Sequence, residues 1–228
     1  MSNHQPPALD AQSLTKQVTS PEGSLTILDD VSFRIDPGQT VAICGPSGAG
    51  KSTLLALLAG LDTASRGSIS LDGTELGALD EDGRAALRAN RVGFVFQSFH
   101  LVPSLTALEN VMLPLELGDT HNPKRRALEI LESVGLGART GHYPNQLSGG
   151  EKQRVAIARA FAGKPSVLFA DEPTGNLDSA TGDTIVDLLF ALNDQQQTTL
   201  VLVTHDETLA ARCDRTLRLA AGQLVNDA

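Results

Sequence analysis

From Gly45 to Ser52 the chain reads Gly-Pro-Ser-Gly-Ala-Gly-Lys-Ser, two glycines bracketing four residues and followed by Lys51 and Ser52. Residues of these types at this spacing cradle phosphate. Gly45, Gly48 and Gly50 let successive N–H groups turn inward past Pro46, Ser47 and Ala49, and a helix starting there aims its positive end at the same point. Lys51 would reach the outer phosphates of a nucleoside triphosphate, Ser52 would hold magnesium, and Thr53 completes the cradle.

A second constellation closes the apolar run Val167-Leu-Phe-Ala with Asp171 and Glu172. A carboxylate at the end of a buried strand is costly unless paired or near a metal. Asp171 is placed to approach the magnesium shell, and Glu172 to take a proton from an attacking water. A third lies at Leu147-Ser148-Gly149-Gly150-Glu151, ahead of an apolar pattern running through Arg154, Ile157 and Phe161. The two glycines would expose free N–H groups at the start of a helix and Ser148 would add a hydroxyl, so this element too is built to receive an anion.

The surrounding patterns supply the elements that hold these groups. Thr40–Cys44 reads as a buried strand and Thr53–Ala59 as a packed helix, which gives the glycine loop its strand-loop-helix context. Residues from Leu9 to Leu71 are β-rich, with turns at Pro21-Glu-Gly-Ser24 and Asp36-Pro-Gly38. Residues from Leu79 to Phe161 are mostly helical, interrupted at Pro103, Pro114, Pro123 and Pro144. Alternation then returns: strand Val167–Phe169, helix Thr181–Leu192, strand Thr198–Val203, helix Glu207–Ala211, and Arg215–Leu219 as a last strand. Strands and helices alternating around a phosphate loop predict an α/β fold with a parallel sheet and the nucleotide at the strands' carboxyl ends.

Composition sets the limits. The 228 residues suit one domain, and 18 Lys plus Arg against 27 Asp plus Glu leave a formal charge of −9, which argues against nucleic acid as the main partner. Cys44 and Cys213 form no disulfide framework and read as small buried hydrophobes in a reducing compartment. The amino terminus shows neither a basic leader nor an apolar export core, and the longest apolar stretch, Leu54 to Leu61, is far short of the roughly 20 residues that cross a bilayer. A soluble cytoplasmic chain is expected, with any membrane role exercised through a partner.

The run Leu147-Ser-Gly-Gly-Glu151 followed by Lys152-Gln-Arg154 is similar to the signature sequence of ATP-binding-cassette (ABC) ATPases. The other motifs fall in that family's order: Gln97 after Val92–Phe96, Asn176-Leu177-Asp178 after the acidic pair, and His205 after Leu200–Val203. The resemblance implies a P-loop core at about 1–95 and 162–228 with an amino-terminal antiparallel β-subdomain, and an inserted helical subdomain at about 96–161. It implies ATP and Mg2+ as cofactors, and a second copy of the chain packed head to tail so that each signature closes over the other copy's ATP. Gln97 resembles the glutamine that touches magnesium and water, Asp178 the aspartate that communicates across the dimer, and His205 the histidine at the terminal phosphate. Where the family carries an aromatic residue to stack on adenine, this chain has Val18, so apolar contact replaces stacking.

Phe96-Gln-Ser-Phe-His-Leu-Val-Pro-Ser-Leu-Thr-Ala-Leu-Glu-Asn-Val111 and Ala170-Asp-Glu-Pro-Thr-Gly-Asn-Leu-Asp178 resemble the branch of lipoprotein-releasing and macrolide-exporting ATPases, most closely the YbbA type. That likeness implies a separate membrane permease with few spanning helices and a large periplasmic part, a place on the inner face of the bacterial cytoplasmic membrane, and export or extraction of a hydrophobic or lipid-like substrate. Phe99, Leu101, Val102 and Leu105 are candidates either for the groove that receives the permease or for packing inside the helical subdomain. Two other readings stand beside this one. A cassette ATPase without a permease would normally carry a coiled-coil or second-domain insertion, absent from this sequence. A module with dead sites is opposed by Lys51, Gln97, Glu172 and His205 together.

Overall fold

The computed structural model describes residues 6–20, 23–118 and 120–227. The Pro21-Glu22 part of the expected turn and the first five residues of the expected leaderless terminus lie outside the described residues. In chain order the elements are β1 (Leu9–Ser20), β2 (Gly23–Ile35), β3 (Thr40–Cys44), α1 (Lys51–Leu58), β4 (Arg66–Leu71), β5 (Thr74–Glu75) and α2 (Glu81–Arg91). Next come β6 (Val92–Phe96), α3 (Ala107–Leu117), α4 (Pro123–Ser133), α5 (Gly149–Ala162), β7 (Val167–Asp171) and α6 (Ser179–Gln196). The chain ends with β8 (Thr199–Val203), α7 (Glu207–Ala210), β9 (Arg215–Ala220) and β10 (Gln223–Asp227). These elements form two compact units, Met1–Arg88 with Thr199–Ala228, and Ala89–Thr198.

The first unit holds two sheets. One is antiparallel, in the order β2-β1-β4-β5. In the other, β3 lies between β8 and β9 and parallel to both. All five residues of β8 and the last four of β3 are buried. Such continuous apolar runs are what strands covered on both faces require. The expectation that Arg215–Leu219 is the last strand needs correcting, because β10 pairs antiparallel with β9. The reversal occurs at Ala221 and Gly222, both with left-handed φ (48° and 80°). That is the geometry of a two-residue hairpin, here written without the Asn-Gly or Asp-Gly pair that usually announces one.

The second unit packs α3, α4, α5 and α6 with the parallel pair β6 and β7. Its core includes Val155, Ala156, Ile157, Ala158, Phe161 and Phe169, each with no exposed surface. Helix starts follow local chemistry. Thr106 and Glu109 form a reciprocal capping box on α3, Pro123 occupies the first turn of α4, and Asp178 caps α6 by accepting from the Thr181 N–H. Pro114, expected as an interruption, lies inside α3, which continues to Leu117. A proline there removes a helical N–H donor, but Val111 and Leu115 on the same helix are buried, and that packing carries the last turn through.

Both cysteines are thiols, Cys44 buried and Cys213 half-buried against the cluster of Ala42, Cys44 and Ala210. Burial first, then the neighbouring Asp214, pushes the Cys213 thiol up to about 12, so it is an inert packing group. No helix among the described residues is long and apolar enough to cross a membrane.

Candidate active site

In the first unit the glycine loop leaves the carboxyl end of β3. Gly45, Gly48 and Gly50 have φ of 151°, 80° and 100°, all disfavoured for residues with a side chain. A Cβ on Gly45 would stand 2.1 Å from the Leu219 carbonyl oxygen, and one on Gly50 would stand 2.8 Å from Leu28 Cδ2. The loop therefore keeps a bare backbone wall, the condition for N–H groups to converge on phosphate. Helix α1 begins directly behind it, with Gly50 at the N-cap, no side-chain cap and no acidic residue in its first turn. Its positive end faces the loop uncompensated, which favours an anion there. Lys51 Nζ donates to the carbonyls of Gly45 (2.7 Å) and Pro46 (3.1 Å), so the ammonium is held at the loop's mouth.

The parallel pairing of β3 with β8 aligns Ile43 with Val203, and the Thr204 N–H donates to the Ile43 carbonyl. Exposed His205 thus emerges at the same sheet end as the phosphate loop. Val18 on β1 is 36 % exposed and pairs with Leu25, itself 61 % exposed, leaving a small apolar face open to contact.

The second unit repeats the logic. Register pairs Phe96 with Asp171 across β6 and β7, so Gln97 and Glu172 leave adjacent strand ends. Glu172 has a left-handed φ of 46°, unusual for a residue with a side chain and a mark of backbone held against its preference. Gln97 Nε2 donates to Asn176 Oδ1 (3.3 Å), and Asn176 Nδ2 donates to the Gln97 carbonyl (2.9 Å). A Cβ on Gly175 would meet Gln97 Nε2 at 2.7 Å, so a side chain there would displace that amide from its present position. The signature lies at the start of α5. Leu147 is buried just before it, Ser148 is the N-cap, and its Oγ accepts from the Glu151 N–H while Glu151 accepts from the Ser148 N–H. An accepting hydroxyl keeps its own proton to donate. Asp178 is committed to capping α6, and the Thr181 hydroxyl and N–H hold its carboxyl below the usual range.

A model of the ABC transporter family matches residues 28–175. The chain belongs to that family, as an ATP-hydrolysing cassette. Over 222 residues it is 57 % identical to the "uncharacterized ABC transporter ATP-binding protein YbbA" of Escherichia coli K12, covering 96 % of this chain and 97 % of that one. Over 219 residues it is 50 % identical to the lipoprotein-releasing system ATP-binding protein LolD of Pseudomonas fluorescens, covering 95 % and 96 %. Among solved structures it is similar to the ATP-binding cassette MJ0796 in a dimeric post-hydrolysis state bound to ADP and Pi, with a TM-score of 0.89 and 41 % identity over 96 % of this chain and 97 % of that one.

The cassette also contains supporting residues that its motifs do not reveal. Fully buried Gln153, one turn into α5, donates to the Pro173 carbonyl at 2.6 Å and so ties the signature helix to the turn that carries Glu172. Arg159, two turns further, donates to the carbonyls of His100 (2.6 Å) and Phe99 (3.0 Å). Both acceptors have left-handed φ (47° and 59°), and the guanidinium ties this turn just after Gln97 to α5. The only hint in the sequence was that both residues lie on the helix that starts at the signature.

Beside this clamp runs an apolar groove of about 410 Å³ lined by Val92, Phe94, Phe96, Leu113, Pro114 and Leu117 among others. Phe99, Leu101, Val102 and Leu105, the candidates from sequence, do not line it. Phe99, Leu101 and Leu105 are half-buried and Val102 is 38 % exposed.

Proposed function

We propose that two copies of the chain pack head to tail around two ATP molecules and that closure of this dimer drives a separate membrane permease. The observation that carries the reading is the coincidence of three features in one chain: a bare glycine cradle with Lys51, a left-handed Glu172 at a strand end, and a glycine-started signature helix. Lys51, the cradle from Gly45 to Thr53 and the apolar face at Val18 bind the chain's own ATP. Leu147, Ser148, Gly149, Gly150 and Glu151 present the signature to the other copy's terminal phosphate. Glu172 takes the proton of the attacking water, His205 contacts the terminal phosphate, and Asp178 lies where the two copies communicate.

Magnesium suits Ser52, Gln97 and Asp171, an all-oxygen donor set of hydroxyl, amide and carboxylate of the kind that ion prefers. When bound it would neutralise charge on the phosphates. Among the described residues no group of three or more His, Cys, Asp or Glu side chains is gathered to hold a metal by itself. The domain division proposed is a P-loop core at about 1–95 and 162–228 with a helical subdomain at about 96–161.

The permease is proposed to have few spanning helices and a large periplasmic part, and its cargo to be a hydrophobic or lipid-like molecule. The LolD relatives, at about half identity along nearly the whole chain, support this. The cassette then works on the inner face of the cytoplasmic membrane, with its apolar groove against the permease. Glu172→Gln should keep ATP binding, slow phosphate release by about 100-fold to 10,000-fold and trap an ATP-bound dimer in sedimentation. Lys51→Ala should weaken nucleotide binding itself. Near-normal turnover in Glu172→Gln would remove Glu172 from the chemistry.

A further inference from the structure

The signature helix contains a conflict of charge. Its first N–H groups and Ser148 are to receive a phosphate, yet Glu151 sits in the same first turn. The Ser148 N–H donates to one carboxylate oxygen at 2.8 Å, and Arg139 Nε donates to the other at 3.0 Å. The Ser148 N–H first, then Arg139, hold the carboxyl down to about 2, so it is ionised throughout the neutral range. As a cap it is useful, because it fixes Ser148 reciprocally. As a charge it is harmful, since it competes with an incoming phosphate for the same helix end and repels it.

Arg139 is the cation that meets this carboxylate. It comes from the short turn Gly137–Arg139, whose backbone is tied on both sides: the Arg139 N–H donates to the Leu136 carbonyl (2.8 Å) and the His142 N–H donates to the Arg139 carbonyl (3.0 Å). The guanidinium is therefore delivered from a fixed support, with the Glu151 side chain only 18 % exposed beneath it.

We propose that Arg139 is a positioning residue for ATP hydrolysis, neutralising Glu151 so that the N–H groups of Gly149 and Gly150 and the Ser148 hydroxyl can donate to the terminal phosphate bound to a second copy of the chain. This rests on the signature being the receptor for the other copy's ATP. Arg139 touches no reacting atom and acts only through Glu151. It cancels the charge of the cap and leaves its hydrogen bonds in place.

The test uses the full chain, with ATP-driven dimerisation followed by sedimentation in Glu172→Gln proteins and turnover followed in proteins retaining Glu172. Arg139→Ala should weaken dimerisation about tenfold and lower kcat, as expected for an unscreened like charge at a phosphate site, while nucleotide affinity of the dilute chain stays the same. Arg139→Lys should restore most of the loss. In a Glu151→Gln background, where the cap carries no charge, Arg139→Ala should change dimerisation by less than about twofold. Equal losses in both backgrounds would overturn the proposal, as would a loss accompanied by a matching fall in melting temperature and nucleotide affinity. Gly149→Asp separates the two layers. If it leaves dimerisation intact, the receptor reading fails and this inference with it; if it abolishes dimerisation while Arg139→Ala does nothing, only the inference fails.

Discussion

Replacing Asn110 with alanine should loosen the segment that follows Gln97, and the structure gives the cost. The side chain lies on α3 with no exposed surface, and its Oδ1 accepts from the Val102 N–H at 2.8 Å. Its Nδ2 faces the carbonyls of Thr106 (2.9 Å), Leu105 (3.0 Å) and Val102 (3.2 Å). An amide nitrogen has only two hydrogens, so the longest of these is a shared contact and about three full bonds remain. At about 1 kcal/mol net for each, with part of the orphaned backbone regaining water near exposed Val102, the loss is about 3 kcal/mol. For a chain of this length that lowers the melting temperature by about 6–12 °C. Asn110→Asp tests the direction of the bonds. A carboxylate can still accept from Val102 but turns a negative charge on three carbonyl oxygens, so it should be at least as unstable, and more so at pH 8 than at pH 5. Thermal melting and urea unfolding of both variants measure this. A melting temperature within about 2 °C of the parent for Asn110→Ala would refute the assignment of Asn110 as the clamp on residues 102–106.

The Glu151 carboxyl is lowered from an ordinary value of 4.5 to about 2, so its stabilisation is complete above about pH 4.5 and lost as pH falls through 2; Glu151→Gln should be less stable than the parent at pH 6 by urea unfolding, with the gap closing across that window. With Val18 in place of an aromatic, ATP and GTP should bind within about tenfold, or about 1.4 kcal/mol, and Val18→Tyr should tighten ATP; a strong ATP preference in titrations of the unmodified chain would mean that another residue reads the base. Leu117, 74 % exposed at the rim of the apolar groove, should tolerate Leu117→Asp without a change in melting, yet co-purification with the permease from solubilised membranes should be lost. Retained binding would place the docking surface elsewhere.

What the amino-acid sequence determined by itself was the family and the motifs written in contiguous stretches. The run from Gly45 to Thr53 is legible because a phosphate cradle is built from consecutive backbone N–H groups, and its flanking strand and helix are set by local apolar patterns. The same holds for the place of Asp171 and Glu172 at the end of β7 and of the signature at the start of α5, each a contiguous turn whose position follows from the local pattern around it. Only the tertiary structure decided what holds these pieces in place. Gln153 meeting Pro173, Arg159 meeting Phe99 and His100, Asn176 meeting Gln97 and Arg139 meeting Glu151 are polar contacts between segments far apart in the chain. Such pairs carry no periodicity and use residue types that are common on any surface. The groove shows the same division: Phe94 and Phe96 stand on a strand and Leu113 and Leu117 on a helix, and each pattern reads locally as ordinary core. They face one opening only because β6 and α3 both pack against α5, a fact of long-range burial that no local spacing encodes.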